Sequence, residues 1–194
     1  METLIRHESP AEYFKEMVEA ALEHQRVQAA PPTSWYLVNL LAEVALGGGP
    51  AARSEDQPLG LQFIEALVGR GSARSARLRD VADRSLFISG FFSDSLKRSL
   101  ADVDYYMRLG AYAYRSLGEE EDEVLRPVFV ELGRKFVSFA DVLAEVSERS
   151  ALMSNNDLLR LYEKWLRTGS RRDAELLAER GIVPNASLGD KVVH

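Results

Sequence analysis

Five arginines in the middle of the chain are the residues whose types and spacing most suggest binding chemistry. They are Arg70, Arg74, Arg77, Arg79 and Arg84. Cations near the amino terminus of a helix oppose the helix dipole, so local helix stability does not explain them. Because guanidinium groups bind oxyanions in pairs, this arginine stripe predicts a docking surface for an acidic partner protein or for phosphate. No aromatic side chain interleaves with the arginines to stack on RNA bases, which favours the protein partner.

Two explanations without a partner fit the same arginines. They could pair with Asp80, Asp83 or the acids at 119–123, or they could form a solvated helix surface. The sequence leaves both explanations open. Asp80 and Asp83 could also share a helix face and hold magnesium, although helix capping or pairing with Arg79 and Arg84 explains these acids more simply. We therefore expect no metal site.

The densest cluster of aromatic and polar side chains follows further along the chain. Its members are Asp104, Tyr105, Tyr106, Arg108, Tyr112 and Tyr114. Tyrosine packs a large apolar ring but needs a partner for its hydroxyl group, so buried tyrosines often bind aspartate or arginine. A ligand pocket, if the chain has one, is expected here, between helix crossings at Gly90 and Gly110. The simpler explanation is that these residues form the core and rim of a helix bundle.

Other residues that catalysts and metal sites use are scarce. The chain has no cysteine and three histidines, His7, His24 and His194. Neither His7 nor His24 has a glutamate three residues before it, so the Glu-x-x-His motif of di-iron bundles is missing. The glycines at 47–49 are not followed by the Gly-Lys-Ser/Thr of a phosphate-binding loop. These observations predict a protein without a cofactor and argue against an enzyme.

The overall composition predicts a soluble protein of the cytoplasm. The chain has 194 residues, enough for one domain with a sizeable core, and a formal net charge of −6. It contains no run of about 18 uncharged apolar residues, and its first residues lack the apolar core of a signal peptide. The negative net charge argues against a dedicated nucleic-acid binder, whose phosphate contacts need a basic face.

Apolar residues recur at helical spacing along most of the chain, with turn-forming residues between the helical segments. We predict helices at about 10–28, from Thr33 or Ser34 to Gly47, at about 59–68, two within 78–117, one that begins with the acids at 119–123 and runs to about 148, with Pro127 in its first turn or at a kink, and two within 154–181. The central pair at 78–117 is expected to break near 93–95 and to pack closely at Gly90 and Gly110, where glycine is otherwise costly. In the short helix, the residues that mark the apolar face are Leu61, Ile64 or Glu65, and Val68.

The helix ends are marked by proline and capping residues. Ser9–Glu12, with proline in second place, is typical of a helix start. Pro31 and Pro32 are expected to end the first helix, and Thr33 or Ser34 to cap the second.

These patterns predict an all-α protein, because no segment alternates as a strand would. We expect a single-domain bundle of about seven or eight helices at 1–184, with a C-terminal helical hairpin, a flexible loop at 47–58 and a disordered tail at 185–194. The leading hypothesis is a non-enzymatic interaction or regulatory protein that docks an acidic protein partner on the arginine-lined helix face. The alternative is a small-molecule-binding protein or enzyme that uses the tyrosines and aspartates of 102–115. A homodimer is also left open.

Overall fold

Seven α-helices and no strand make up the residues that the structure describes. The structure is a computed structural model, and it describes residues 9–49, 57–92, 103–120, 123–150 and 171. The helices are α1 (Pro10–His24), α2 (Pro31–Ala45), α3 (Leu59–Val68), α4 (Gly71–Phe91), α5 (Val103–Glu120), α6 (Arg126–Arg134) and α7 (Phe136–Arg149). The predicted all-α fold of about seven or eight helices is confirmed. The predicted C-terminal hairpin, the tail, the break at 93–95 and most of the loop at 47–58 lie outside the described residues.

The start of α1 is set by its own residues. The Ser9 hydroxyl accepts a hydrogen bond from the Glu12 N–H (3.3 Å), and the Glu12 carboxylate accepts one from the Ser9 N–H (3.0 Å). This reciprocal capping box satisfies two donors that the first turn of a helix leaves free. The helix ends at His24, earlier than the predicted 28, and Gln25 then donates a hydrogen bond to the Glu145 carboxylate (2.7 Å) on α7.

The start of α2 combines prolines in its own first turn with a contact from a distant helix. The expected cap at Thr33 or Ser34 was wrong, because α2 already begins at Pro31. Ala30, the residue before it, has no polar side chain to act as a cap. The Glu131 carboxylate on α6 accepts the hydrogen bond of the Ala30 N–H (3.0 Å) and takes that role.

The helix predicted from the acids at 119–123 to about 148 starts later and is two helices. Glu119 and Glu120 end α5, and α6 begins at Arg126 with Pro127 in its first turn. The chain then turns at Lys135, before α7. α6 packs mainly on α5, whereas α7 packs mainly on α4 and α1, and these neighbours require two axis directions. The Lys135 ammonium group donates to the Gln28 carbonyl oxygen (2.6 Å), which holds the turn against the segment between α1 and α2. The apolar repeat continues from Leu132 to Phe136 at helical spacing, so the sequence pattern hides the turn.

α4 and α5 form the centre of the bundle. They pack on each other, α3 and α7 pack on α4, and α6 packs on α5; α4 begins at Gly71, ahead of the predicted 78. Gly110 lies against Phe136 and Ser85, and a Cβ at Gly110 would come within 2.7 Å of the Ser85 Cβ. A Cβ at Gly90 would come within 2.6 Å of the Leu143 Cβ. The predicted close packing at Gly90 and Gly110 is therefore confirmed.

Candidate functional site

A carboxylate shared by two tyrosines lies where α2, α4 and α5 meet. The Tyr36 hydroxyl of α2 donates to the Asp83 carboxylate of α4, with the two carboxylate oxygens at 2.8 and 3.0 Å. The Tyr114 hydroxyl of α5 donates to the same carboxylate at 2.6 Å. Tyr114 is fully buried, and Tyr36 and Asp83 are partly buried. One charged group thus connects three helices, and we name these three residues the Asp83 cluster.

Aromatic packing holds the Asp83 cluster in place. The Phe129 ring of α6 stacks on Tyr114, with 6.0 Å between ring centroids, and meets the Tyr36 ring edge-on at 5.6 Å. The Arg79 guanidinium carbon lies 5.0 Å from the centroid of Phe129 and 6.0 Å from that of Tyr36. These distances are typical of cation–π contacts. Arg79 therefore places a positive charge beside the Asp83 cluster while its side chain packs against the aromatic rings.

Burial dominates the electrostatics of the Asp83 cluster. Removal from water raises the pKa of Asp83 to about 6, because the loss of hydration outweighs the hydrogen bonds from Tyr114 and Tyr36 and the charge of Arg79. Burial, together with the neighbouring Asp83 carboxylate, also raises the pKa of both tyrosines well above the ordinary value. The arrangement can therefore exchange a proton at Asp83 in the mildly acidic range, while both phenols stay protonated.

The structure divides the predicted tyrosine and aspartate cluster between two sides of α5. Tyr114 points into the core and contacts Asp83. The other members lie toward the surface, where Asp104, Tyr105, Arg108 and Tyr112 are exposed and Tyr106 is partly buried. Tyr112 meets the Phe63 ring of α3 edge-on, with 5.5 Å between centroids. The six residues therefore do not converge on one site.

Three members of the arginine stripe make contacts inside the fold. Arg74 lies 2.7 Å from the Glu120 carboxylate at the end of α5. Arg84 lies 3.9 Å from the Asp80 carboxylate one turn earlier on α4, and both side chains are largely buried. Arg79 lies over the aromatic rings of the Asp83 cluster. These three guanidinium groups already have partners within the chain.

The other two arginines point outward. Arg70 is exposed just before the first residue of α4. Arg77 lies 3.6 Å from the Glu65 carboxylate of α3, and the two side chains are 61% and 51% exposed. An ion pair between such exposed groups contributes little, so Arg77 remains accessible to another anion.

The apolar face that the sequence pattern predicted for α3 points outward, and the helix packs on the core through other apolar residues, which include Phe63 and Leu67. Leu61, Ile64 and Val68 are 49%, 56% and 78% exposed. α3 instead buries Leu59, Gln62 and Ala66. The buried Gln62 amide is satisfied, because it donates to the Gln57 carbonyl oxygen (2.7 Å) and accepts from Arg84 (3.1 Å). We name Leu61, Ile64 and Val68 the α3 outer face.

Metal sites and membrane-spanning helices are both missing from the described residues. No group of three or more histidine, aspartate or glutamate side chains in these ranges could hold a metal ion. None of the helices that the structure describes combines the length and the apolar character that a membrane crossing requires.

The sequence does not single out Tyr36, and its pattern assigns Asp83 to helix capping, arginine pairing or magnesium. Tyr36 and Asp83 are 47 positions apart, so no local motif connects them. The available signal is that Asp83 follows Arg79 by four positions beside the buried residues Ala82 and Leu86. An acid at the edge of a buried stripe needs hydrogen-bond donors from a neighbouring helix.

Comparison of the chain with protein-family models, with curated proteins and with solved structures gives no match in any of the three.

Proposed function

We propose that this chain is a non-enzymatic, cytoplasmic helical protein that docks an acidic partner protein. The proposed docking face combines the α3 outer face (Leu61, Ile64, Val68) with Arg70 and Arg77. The observation that carries the proposal is the α3 outer face itself, three large aliphatic side chains about half exposed or more on one side of a helix. Exposed apolar groups that lie next to one another are typical of protein interaction surfaces.

The two outward arginines border the α3 outer face. Arg70 follows Val68 by two positions, and Arg77 reaches α3 through its contact with Glu65. An acidic segment could form charge-assisted hydrogen bonds with both guanidinium groups while its apolar residues cover the aliphatic side chains. Arg74, Arg79 and Arg84 contribute to the fold rather than to the docking face, so the proposal does not depend on them.

The alternative function, a ligand pocket or active site at 102–115, has less support. It needs Asp104 and the neighbouring tyrosines to converge, whereas Tyr114 is buried in the core and Asp104 is exposed. A helix that presents one buried and four exposed members of a cluster does not enclose a small molecule with them.

Affinity capture from the source cells, with quantitative mass spectrometry, tests the proposal. Arg70→Glu/Arg77→Glu and Ile64→Asp should each reduce the recovery of the same acidic protein at least about tenfold, a change of about 1.4 kcal/mol in binding. The matched control, Lys15→Glu/Arg134→Glu, reverses two exposed charges on α1 and α6 and should retain the partner. The purified partner should then bind more weakly as salt rises. Equal recovery by the docking-face variants and the control contradicts the proposal.

A further inference from the structure

We infer that Asp83 is a proton-sensitive clasp, which makes the joint between α2, α4 and α5 more stable when its carboxyl group is protonated than when it is ionised. Asp83 is the one acceptor that the Tyr36 and Tyr114 hydroxyls share, at 2.6 to 3.0 Å, and the Phe129 ring of α6 backs both tyrosines. Any change in the charge of Asp83 therefore alters contacts among three helices, α2, α4 and α5.

The groups that act on Asp83 are few among the described residues. Tyr36 from α2 and Tyr114 from α5 donate hydrogen bonds to it, Arg79 on its own helix adds a positive charge, and Asp80 adds a negative one. Asp80 also forms an ion pair with Arg84, and Arg79 also contacts two aromatic rings, so neither charge acts on Asp83 alone. α6 contributes the ring of Phe129, which cannot solvate an anion.

A neutral carboxylic acid fits this environment better than a carboxylate. It can still accept the Tyr114 hydrogen bond, and its own proton can go to the Tyr36 hydroxyl oxygen, so both contacts persist. The cost of keeping an anion out of water disappears. The folded chain therefore holds the Asp83 proton more firmly than the unfolded chain does.

The direction of the pH dependence follows from this difference. Between pH 4 and pH 6 the folded state binds more protons than the unfolded state, so the Asp83 contribution to stability falls as pH rises through this window. Burial in the folded chain raises the pKa of Asp83 from 3.8 to about 6. This difference corresponds to a change on the order of 100-fold in the unfolding equilibrium constant. This direction is opposite to that of a carboxylate that is stabilised by an ion pair.

Denaturant unfolding of the full chain between pH 4 and pH 7.5 tests the clasp. The ratio of the unfolding constants of wild type and Asp83→Asn should rise by about 100-fold over this range. The matched control is Asp80→Asn, which lies one turn away on α4. The ratio of the unfolding constants of wild type and Asp80→Asn should not show this rise. A ratio for Asp83→Asn that is flat, or that falls with pH, overturns the inference.

A second measurement does not depend on whether Asp83→Asn folds. The Asp83 side-chain carboxyl carbon, followed by NMR, should titrate near pH 6 in the wild type. Tyr114→Phe removes a hydrogen bond that favours the ionised form, so the midpoint should move to higher pH. If the Asp83 midpoint is the same in Tyr114→Phe and in the wild type, the Tyr114 hydroxyl does not act on the Asp83 charge, which contradicts the inference. An Asp83 midpoint near pH 4 in the wild type also contradicts it.

Discussion

The Arg74 guanidinium lies 2.7 Å from the Glu120 carboxylate and so joins the start of α4 to the end of α5. Arg74 also donates a hydrogen bond to the Leu67 carbonyl oxygen in the last turn of α3, where helix carbonyls lack partners. One side chain thus connects three helices. Arg70, four residues earlier, is exposed at the same end of α4.

Substitution of these two arginines should separate structural from surface arginines. Arg74→Ala is expected to lower the free energy of unfolding by about 1–2 kcal/mol, because it removes charge-assisted hydrogen bonds from partly buried groups. Arg70→Ala is expected to change it by less than about 0.5 kcal/mol. Urea unfolding of both variants measures the difference, and equal effects would contradict the internal role of Arg74.

The close crossing at Gly110 predicts a strong response to one added methyl group. Gly110→Ala should destabilise the protein by about 2 kcal/mol, since overpacking against Phe136 and Ser85 exceeds the gain of about 1 kcal/mol in helix propensity. Gly60→Ala is the control, because its Cβ would meet only the mobile hydroxyl end of the exposed Tyr105. Differential scanning calorimetry should find a lower melting temperature for Gly110→Ala alone.

The stabilisation of α2 by the hydrogen bond from the Ala30 N–H to the Glu131 carboxylate should depend on pH. Partial burial raises the pKa of Glu131, but hydrogen bonds from Lys135 and the Ala30 N–H outweigh this and lower the pKa overall. The folded pKa lies below the unfolded one, so the stabilisation is complete above the unfolded pKa of about 4.3 and is lost as pH falls through the folded pKa.

Glu131→Gln should therefore cost about 1–2 kcal/mol at pH 7 and progressively less below about pH 4. Glu19→Gln, which alters an exposed pair with Lys15 at 4.0 Å, is the control and should change stability by less than about 0.5 kcal/mol at either pH. Chemical denaturation at the two pH values measures both. A loss for Glu131→Gln that grows as pH falls would exclude the capping role.

The orientation of α3 can be tested by placing a charge on each of its sides. Ile64→Asp, on the α3 outer face, should leave the free energy of unfolding within about 1 kcal/mol of the wild type. Ala66→Asp places an unpaired carboxylate at a fully buried position and should cost more than about 3 kcal/mol. Thermal unfolding by circular dichroism distinguishes the two variants. If Ile64→Asp lowers the free energy of unfolding more than Ala66→Asp does, Ile64 faces the core, as the sequence pattern predicts.

Local signals in the sequence predict the helices well where the cause is local. The start at Ser9–Glu12 depends on residues within one turn, and the glycines at the crossings carry a propensity cost that only close packing explains. The prolines at 31 and 32 are also a local start signal, although the sequence pattern assigns them to the end of the first helix. Only the acceptor for the Ala30 N–H, Glu131, could not be found locally, because it is 101 positions away. Helical periodicity also cannot reveal a turn that preserves spacing, as at Lys135.

The candidate site is less predictable than the fold. Apolar spacing identifies a stripe on α3 but not the direction in which it points, because the buried Gln62 obtains its hydrogen bonds from Gln57 and Arg84 only in the folded chain. The same limit applies to Asp83, whose hydroxyl donors come from helices before and after its own. The pairing of Arg74 with Glu120 belongs to one of the alternatives that the sequence left open, internal pairing with the acids at 119–123.

The contact between α1 and α7 joins nearly the two ends of the described chain, since Gln25 and Glu145 are 120 positions apart. On the ribosome, α1 emerges long before α7 has been synthesised. α1 therefore lacks one of the helices on which it packs until α7 has left the ribosome. Slower translation of α6 and α7 would lengthen the period in which α1 lacks this neighbour and stays accessible to chaperones, although it leaves the sequence of the finished protein unchanged.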